Sequence, residues 1–233
     1  MKDLTSQYET IIKERIINGD YRIGEKIPPL RDLATELNCS RSVINVLIAR
    51  LAAQGYLFIQ KRQKTVVSDF MTTGSLNIIQ DIIFGKNKDL KYQASKSVLA
   101  ARKLIEVESV KQACIICNED EIVMLEKIIN AELKLIEEGV TNFSVIAEND
   151  FSFHNQIIRM SGNVLYRIIM NSIKDVALNM TKYFYESKSN FFGKYVACHQ
   201  QILQAVKNKD QDEAAAVLTE ILEHGEKLYI DLF

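Results

Sequence analysis

The three histidines of this chain, His154, His199 and His224, all lie beyond its midpoint. Asp150 and His154 stand four residues apart, so a helix through them presents both on one face. A carboxylate joined by imidazoles suits a borderline divalent metal such as zinc, nickel or manganese. Arg102 offers a planar fork that can grip a carboxylate in bidentate fashion, or pair with a neighbour on its own helix. Two other groupings are weaker. Cys114-Ile115-Ile116-Cys117 has redox spacing, but it sits in a helical pattern with no strand before it, where such a pair reads as small core residues. Cys198 adjoins His199, yet adjacent residues on a helix point about 100° apart and rarely face each other. No catalytic constellation and no glycine-rich phosphate loop stands out, so an enzyme is not expected.

A second constellation lies near the N-terminus. In residues 24–57, Leu30, Leu33, Ala34 and Leu37 fall at i, i+3, i+4 and i+7, and Ile44, Leu47, Ile48 and Leu51 repeat that spacing. Between them, Asn38-Cys39-Ser40-Arg41-Ser42 makes a tight polar turn with Ser40 as N-cap of the second helix. The start of that helix offers Arg41, Ser42 and Asn45, side chains suited to phosphates and base edges. This is the layout of a helix-turn-helix whose recognition helix enters the major groove of duplex DNA.

The elements that must position these groups follow from punctuation and periodicity. A first helix is expected from about Thr5 to Asn18, with Tyr8, Ile11, Ile12 and Ile16 inward. Pro28-Pro29 opens the second helix, where a missing N–H costs nothing. After the third, Gln54-Gly55 is a C-cap signal. Tyr56-Leu57-Phe58-Ile59 and Thr65-Val66-Val67 read as two strands around Lys61-Arg62-Gln63-Lys64, a hairpin with a basic tip that completes a winged helix. Residues 69–77 read as a linker. Beyond it the pattern is helical throughout, over about 76–85, 89–117, 119–138, 144–161, 163–187, 191–208 and 210–230. The expectation is therefore a mainly α protein: a winged helix-turn-helix domain at 1–68, a linker at 69–77, and an antiparallel bundle of about seven helices at 78–233.

Composition fits this division. The chain has 233 residues, 47% hydrophobic and 25% charged, with two prolines. Residues 1–68 hold 11 Lys/Arg against 7 Asp/Glu, a net of +4, and the remainder 18 against 23, a net of −5. A basic first module on an acidic body suits contact with a polyanion through that module alone. No apolar run approaches the roughly 20 residues needed to span a bilayer, and the start carries no secretory pattern. The four cysteines show no disulfide-framework spacing, as expected of a cytoplasmic protein.

These residues resemble the GntR family of bacterial transcription regulators, in its FadR subfamily. Gly24, Ile27-Pro28, Arg31, Leu33-Ala34, Ser40-Arg41, Leu51 and Gly55 follow the family's DNA-binding module. Arg102 before Glu106, Asp150 with Phe153-His154, Ser161-Gly162-Asn163, and His199 with Ile202 and Ala205 follow its all-helical ligand-binding domain, called FCD. Gly74-Ser75-Leu76-Asn77-Ile78-Ile79 is similar to the joining segment of fatty-acid-responsive members. The resemblance implies a homodimeric repressor that binds a double-stranded DNA operator and no membrane. Arg31, Ser40, Arg41, Ser42 and Asn45 would carry the operator contacts, with Lys64 on the wing. It also implies an effector site with Arg102 and Asn163, and a metal held by Asp150, His154, His199 and a fourth ligand.

Three departures matter. The family's fourth ligand position is Ile221 here, and His224, one turn further, could replace it only if the helix were shifted or rotated. Asn45 stands where a second arginine is common, which favours adenine over guanine. The wing turns through Arg62-Gln63-Lys64 rather than glycines. Four readings of the second domain stay open: a metal site with a small carboxylate, a metal-free pocket for a fatty acyl-CoA, packed histidines in a constitutive DNA-binding dimer, and a metalloenzyme built on Asp150, His154 and His199.

Overall fold

A computed structural model describes residues 4–60 and 64–233, with the side chains of Leu4 and Lys64 outside that description. The chain divides into two compact units, Met1–Ala94 and Ser95–Phe233. Among the described residues no helix is long and apolar enough to cross a membrane.

The first unit begins with α1 (Leu4–Ile17), α2 (Leu30–Glu36) and α3 (Arg41–Ala53). Pro29 occupies the N-cap position of α2, and the Ser40 hydroxyl accepts from the Val43 N–H at the start of α3. Asn38, at φ 50°, turns the chain between them. Leu33, Ala34, Leu37, Ile44, Leu47, Ile48 and Leu51 are buried together with Ile12 and Ile16, as the periodicity predicts. Two positions differ. Leu30 is exposed because it is the first residue of α2, ahead of the turn that packs, and on α1 Ile17 is buried where Ile11 was expected.

Strands β1 (Leu57–Gln60) and β2 (Lys64–Val67) pair antiparallel from Leu57 opposite Val67 to Gln60 opposite Lys64. The segment before α2 adds a further edge: Gly24 N–H donates to the Val67 carbonyl, Val67 N–H to Glu25, and Ile27 N–H to Thr65. Gly55 is required where it stands. Its φ is 87°, and a Cβ there would lie 2.5 Å from the Thr73 carbonyl oxygen.

The stretch 69–77, expected as a linker, is folded. It holds α4 (Phe70–Thr73) and leads into α5 (Asn77–Phe84). Phe70 is buried with its ring 5.8 Å from that of Tyr56. Ile78, Ile82 and Ile83 are also buried. Fully buried Tyr56 donates its hydroxyl to Asp81 at 2.8 Å, and Lys13 approaches the same carboxylate at 3.0 Å. Apolar burial and a charge-assisted bond thus attach α5 to α1 and to the start of the hairpin.

Helix α6 (Lys88–Ile116) begins in the first unit and continues in the second. The second unit then has α7 (Glu119–Glu137), α8 (Phe143–Met160), α9 (Val164–Ser172), α10 (Lys174–Lys188), a 3-10 turn, α11 (Phe192–Lys207) and α12 (Gln211–Ile230). Asn118 and Glu121 form a capping box at α7, and Asn142, Asn163 and Asp210 cap α8, α9 and α12. The single helix expected over 163–187 is broken at Ile173, whose backbone leaves the helical region at φ −109°, ψ 14°. The break keeps Met170, Ile173 and Val176 all buried, and no glycine or proline marks it.

Candidate functional site

Helix α8 carries Asp150 and His154 on its buried face, and α11 brings His199 to them. One ligand atom from each of the three lies within 4.8 Å of the others. Each has a partner behind it. Tyr185, on α10, donates its hydroxyl to Asp150 Oδ1 at 2.9 Å. Glu132, on α7, meets His199 Nδ1 at 2.9 Å, and Glu106, on α6, lies 2.6 Å from His154 Nδ1, an ion-pair distance out of line for a hydrogen bond.

This arrangement selects the ring atoms. A carboxylate at His199 Nδ1 holds the proton there and leaves Nε2 with its lone pair. That Nε2 is buried and has no hydrogen-bond partner. On the other imidazole, His154 Nε2 lies 3.8 Å from Asp150 Oδ2. Phe153 stacks on His199 with ring centroids 3.6 Å apart and fixes its plane. A buried, unpartnered imidazole nitrogen beside a carboxylate and a second imidazole fits a divalent cation.

Electrostatics follow the same layout. Burial would raise the Glu106 carboxyl, but Arg102 and His154 outweigh it and hold the group at about 2. Burial would lower His154, and the Glu106 carboxylate outweighs it and raises the imidazole. Arg102 donates from Nε to Glu106 Oε1 at 2.8 Å. Arg102 thus forms the helix ion pair, and it also lines a cavity of about 70 Å³ with Asp150, His154 and His199. The rest of that cavity is mostly apolar and includes Leu99, Met180, Phe184 and Ile221.

His224 is not in the ligand cluster. Its Nδ1 is 2.8 Å from the Tyr195 hydroxyl and its ring packs on Phe191, while Ile221 faces the cavity. The unshifted course of α12 accounts for both placements. Asn163 caps α9, its Oδ1 accepting from the Tyr166 N–H, and it does not line the cavity that holds Asp150, His154 and His199. Cys114 is buried, donates to the Asp210 carbonyl, and is pushed by burial up to about 11, so it is a core thiol. Cys198 is likewise raised by burial, and its neighbour His199 is turned to Glu132.

Glu132 and Tyr185 escaped the sequence reading. Glu132 continues the buried stripe of Leu125 and Ile129 on α7, and a charged residue on an apolar stripe was the available signal. Nothing local marks Tyr185, which belongs to the site only through packing.

In the first unit, Arg31, Ser40 and Arg41 line one shallow groove with Thr35, Asn38 and Cys39. Ser42 and Asn45 are exposed on the same end of α3, and Ser42 Oγ is 2.7 Å from Ser40 Oγ. Arg31 has only a weak contact to Asp32, at 3.3 Å, with most of its side chain in solvent. The wing tip at Lys61, Arg62 and Gln63, and the Lys64 side chain, lie outside the described residues.

Comparison with known proteins agrees with this architecture. Residues 4–67 match the model of bacterial regulatory proteins of the gntR family, and residues 97–224 match the FCD domain. The fatty acid metabolism regulator protein of Serratia proteamaculans is 24% identical over 218 residues, covering 89% of this chain and 87% of that protein. That of Yersinia enterocolitica is 26% identical over 179 residues, covering 77% and 71%. Among solved structures, Lar of Listeria monocytogenes, described as controlling expression of the agr system, matches with a TM-score of 0.67. It is 16% identical and covers 100% of this chain and 99% of that one. A Streptococcus agalactiae GntR protein gives 0.50 at 18% identity, covering 96% and 99%. At these identities the structural matches speak for the fold.

Proposed function

Because the chain belongs to the GntR family of bacterial regulatory proteins, with an FCD domain as its second unit, it is a DNA-binding transcription regulator and not an enzyme; we propose that a small carboxylate, bound with a divalent metal by Asp150, His154 and His199, sets its operator affinity. The observation that carries this reading is the buried Nε2 of His199, left without a partner while Glu132 occupies the other ring nitrogen. Zinc, nickel and manganese are the metals that suit the donor set. Arg102, in the same cavity, is the positive group for the effector.

The protein acts as a homodimer in the cytoplasm, placing two winged helices on the half-sites of a pseudo-palindromic operator. Arg31, Ser40, Arg41, Ser42 and Asn45 contact DNA, with Lys64 on the wing. It represses, and effector binding weakens its hold on the operator by biasing the placement of the two heads.

The test is a melting curve of the full chain with EDTA and with added zinc or manganese. Metal raises the melting temperature by mass action, and His199→Ala removes the rise. Equal melting in EDTA and metal would sink the metal part of the reading. The names of the Serratia and Yersinia relatives favour a second reading, a metal-free response to fatty acyl-CoA. Against it, the cavity gathers Arg102, Asp150, His154 and His199 on its wall, polar groups that suit a small anion and a cation better than a long apolar chain. Release of operator DNA by an acyl-CoA in the presence of EDTA would establish the second reading instead.

A further inference from the structure

We propose that Val46 is a base-reading residue of the recognition helix, sensing thymine through its C5-methyl group and so restricting the operator at that position to an A·T pair. This rests on the reading of α3 as the DNA-contacting helix and adds the base that it selects. On α3, Ile44, Leu47, Ile48 and Leu51 are buried and define the inward face. At about 100° per residue, Ser42, Val46, Ala49 and Ala53 then fall along the line farthest from that face, and all four are exposed. Val46 has the largest apolar side chain on that line and is 48% exposed.

Nothing inside the fold accounts for a valine there. A β-branched residue is a weaker helix former than alanine, and an exposed one gains little packing within its own chain. A position that breaks a local rule without a gain in the fold is where function is expected. Its surroundings suit the floor of a groove. Helix α3 carries no acidic residue, so no carboxylate on it repels phosphate. Arg50 is drawn to Glu9 on α1, 3.7 Å away, and Ser42 Oγ lies 2.7 Å from Ser40 Oγ, so both side chains have partners away from Val46. The small side chains of Ser42, Ala49 and Ala53 allow a close approach of the helix to DNA. Among the four ordinary bases only thymine presents a methyl group in the major groove, and a branched aliphatic side chain meets it by excluding water from both. The neighbouring Asn45, also exposed, carries the amide that suits adenine. Two adjacent residues thus favour A·T pairs by unlike means, one polar and one apolar.

The experiment selects preferred duplexes from a random pool with the full chain. Each thymine of the selected duplex is then replaced in turn by deoxyuridine, which lacks only the methyl group. Affinity is read by fluorescence anisotropy for the wild type and for Val46→Ala, which leaves the buried face of α3 untouched. In the wild type, loss of the methyl at one thymine in each half-site is expected to weaken binding about threefold to fivefold, as for one buried methylene. Val46→Ala is expected to bind the thymine duplex more weakly by a similar factor, and to bind the thymine and uracil duplexes equally to within about twofold. Should Val46→Ala melt far below the wild type, Val46→Ser takes its place. Uracil substitution that weakens binding at no position, or that costs the variant as much as the wild type, overturns the proposal and leaves operator recognition by α3 standing. Failure of the folded wild type to select any preferred duplex overturns both.

Discussion

At His199 a single carboxylate decides what the ring can do. Glu132 holds the proton on Nδ1, and in the proposed metal site it would act through the histidine without touching the ion. Glu132→Gln keeps the shape and removes the charge, and metal affinity is expected to fall about 10- to 100-fold in a competition titration. An unchanged affinity would mean that Glu132 serves only to satisfy a buried ring. On the DNA side, Arg41 opens the recognition helix from an exposed position. Arg41→Ala is expected to weaken operator binding about tenfold to a hundredfold in gel shifts while leaving the melting temperature in place. The proposed metal-binding pair was legible in the sequence because Asp150 and His154 share a helix face. The supports were not, since Glu132 and Tyr185 reach the site from α7 and α10, far along the chain.

Among the elements, α1 illustrates how a surface helix is tied to its neighbours. Glu9 accepts from Gln54 at 2.8 Å and pairs with Lys13 and Arg50. Burial would raise its carboxyl, but these partners outweigh burial and hold it below the ordinary value. A depressed carboxyl contributes stability above its unfolded pKa and loses it as pH falls through the folded one. The wild-type melting temperature should therefore drop more steeply than that of Glu9→Gln between about pH 5 and pH 3. Parallel curves would show that Glu9 carries no such linkage. Most element boundaries were legible, since Asn118, Asn142, Asn163 and Asp210 are caps and Gly139 and Gly162 close helices with positive φ. The break at Ile173 and the backbone pairing of the segment before α2 with β2 were not. Both depend on partners distant in sequence, and no local residue type announces them.

At the scale of the whole molecule, the sequence shows two functions in two units, and the basic and acidic halves divide accordingly. DNA affinity should fall steeply with salt, because contacts to phosphate release counterions. The place where one unit ends is another matter. DFMTTGSLN looks like a polar tether, yet Phe70 is buried and α5 is held to the head by Asp81.

That attachment bears on how the protein can be taken apart. A DNA-binding fragment cut at residue 68 would deprive the buried Tyr56 hydroxyl of its acceptor and uncover part of the core formed with Phe70. One ending at residue 94 would retain both, along with the buried Ile78, Ile82 and Ile83. The longer fragment is expected to melt cooperatively, and the shorter one to aggregate or melt without a sharp transition. Equal behaviour of the two in calorimetry would show that α5 is dispensable. For anyone grafting this head onto another sensor, the transferable module thus includes the helix that reads in the sequence as its tether.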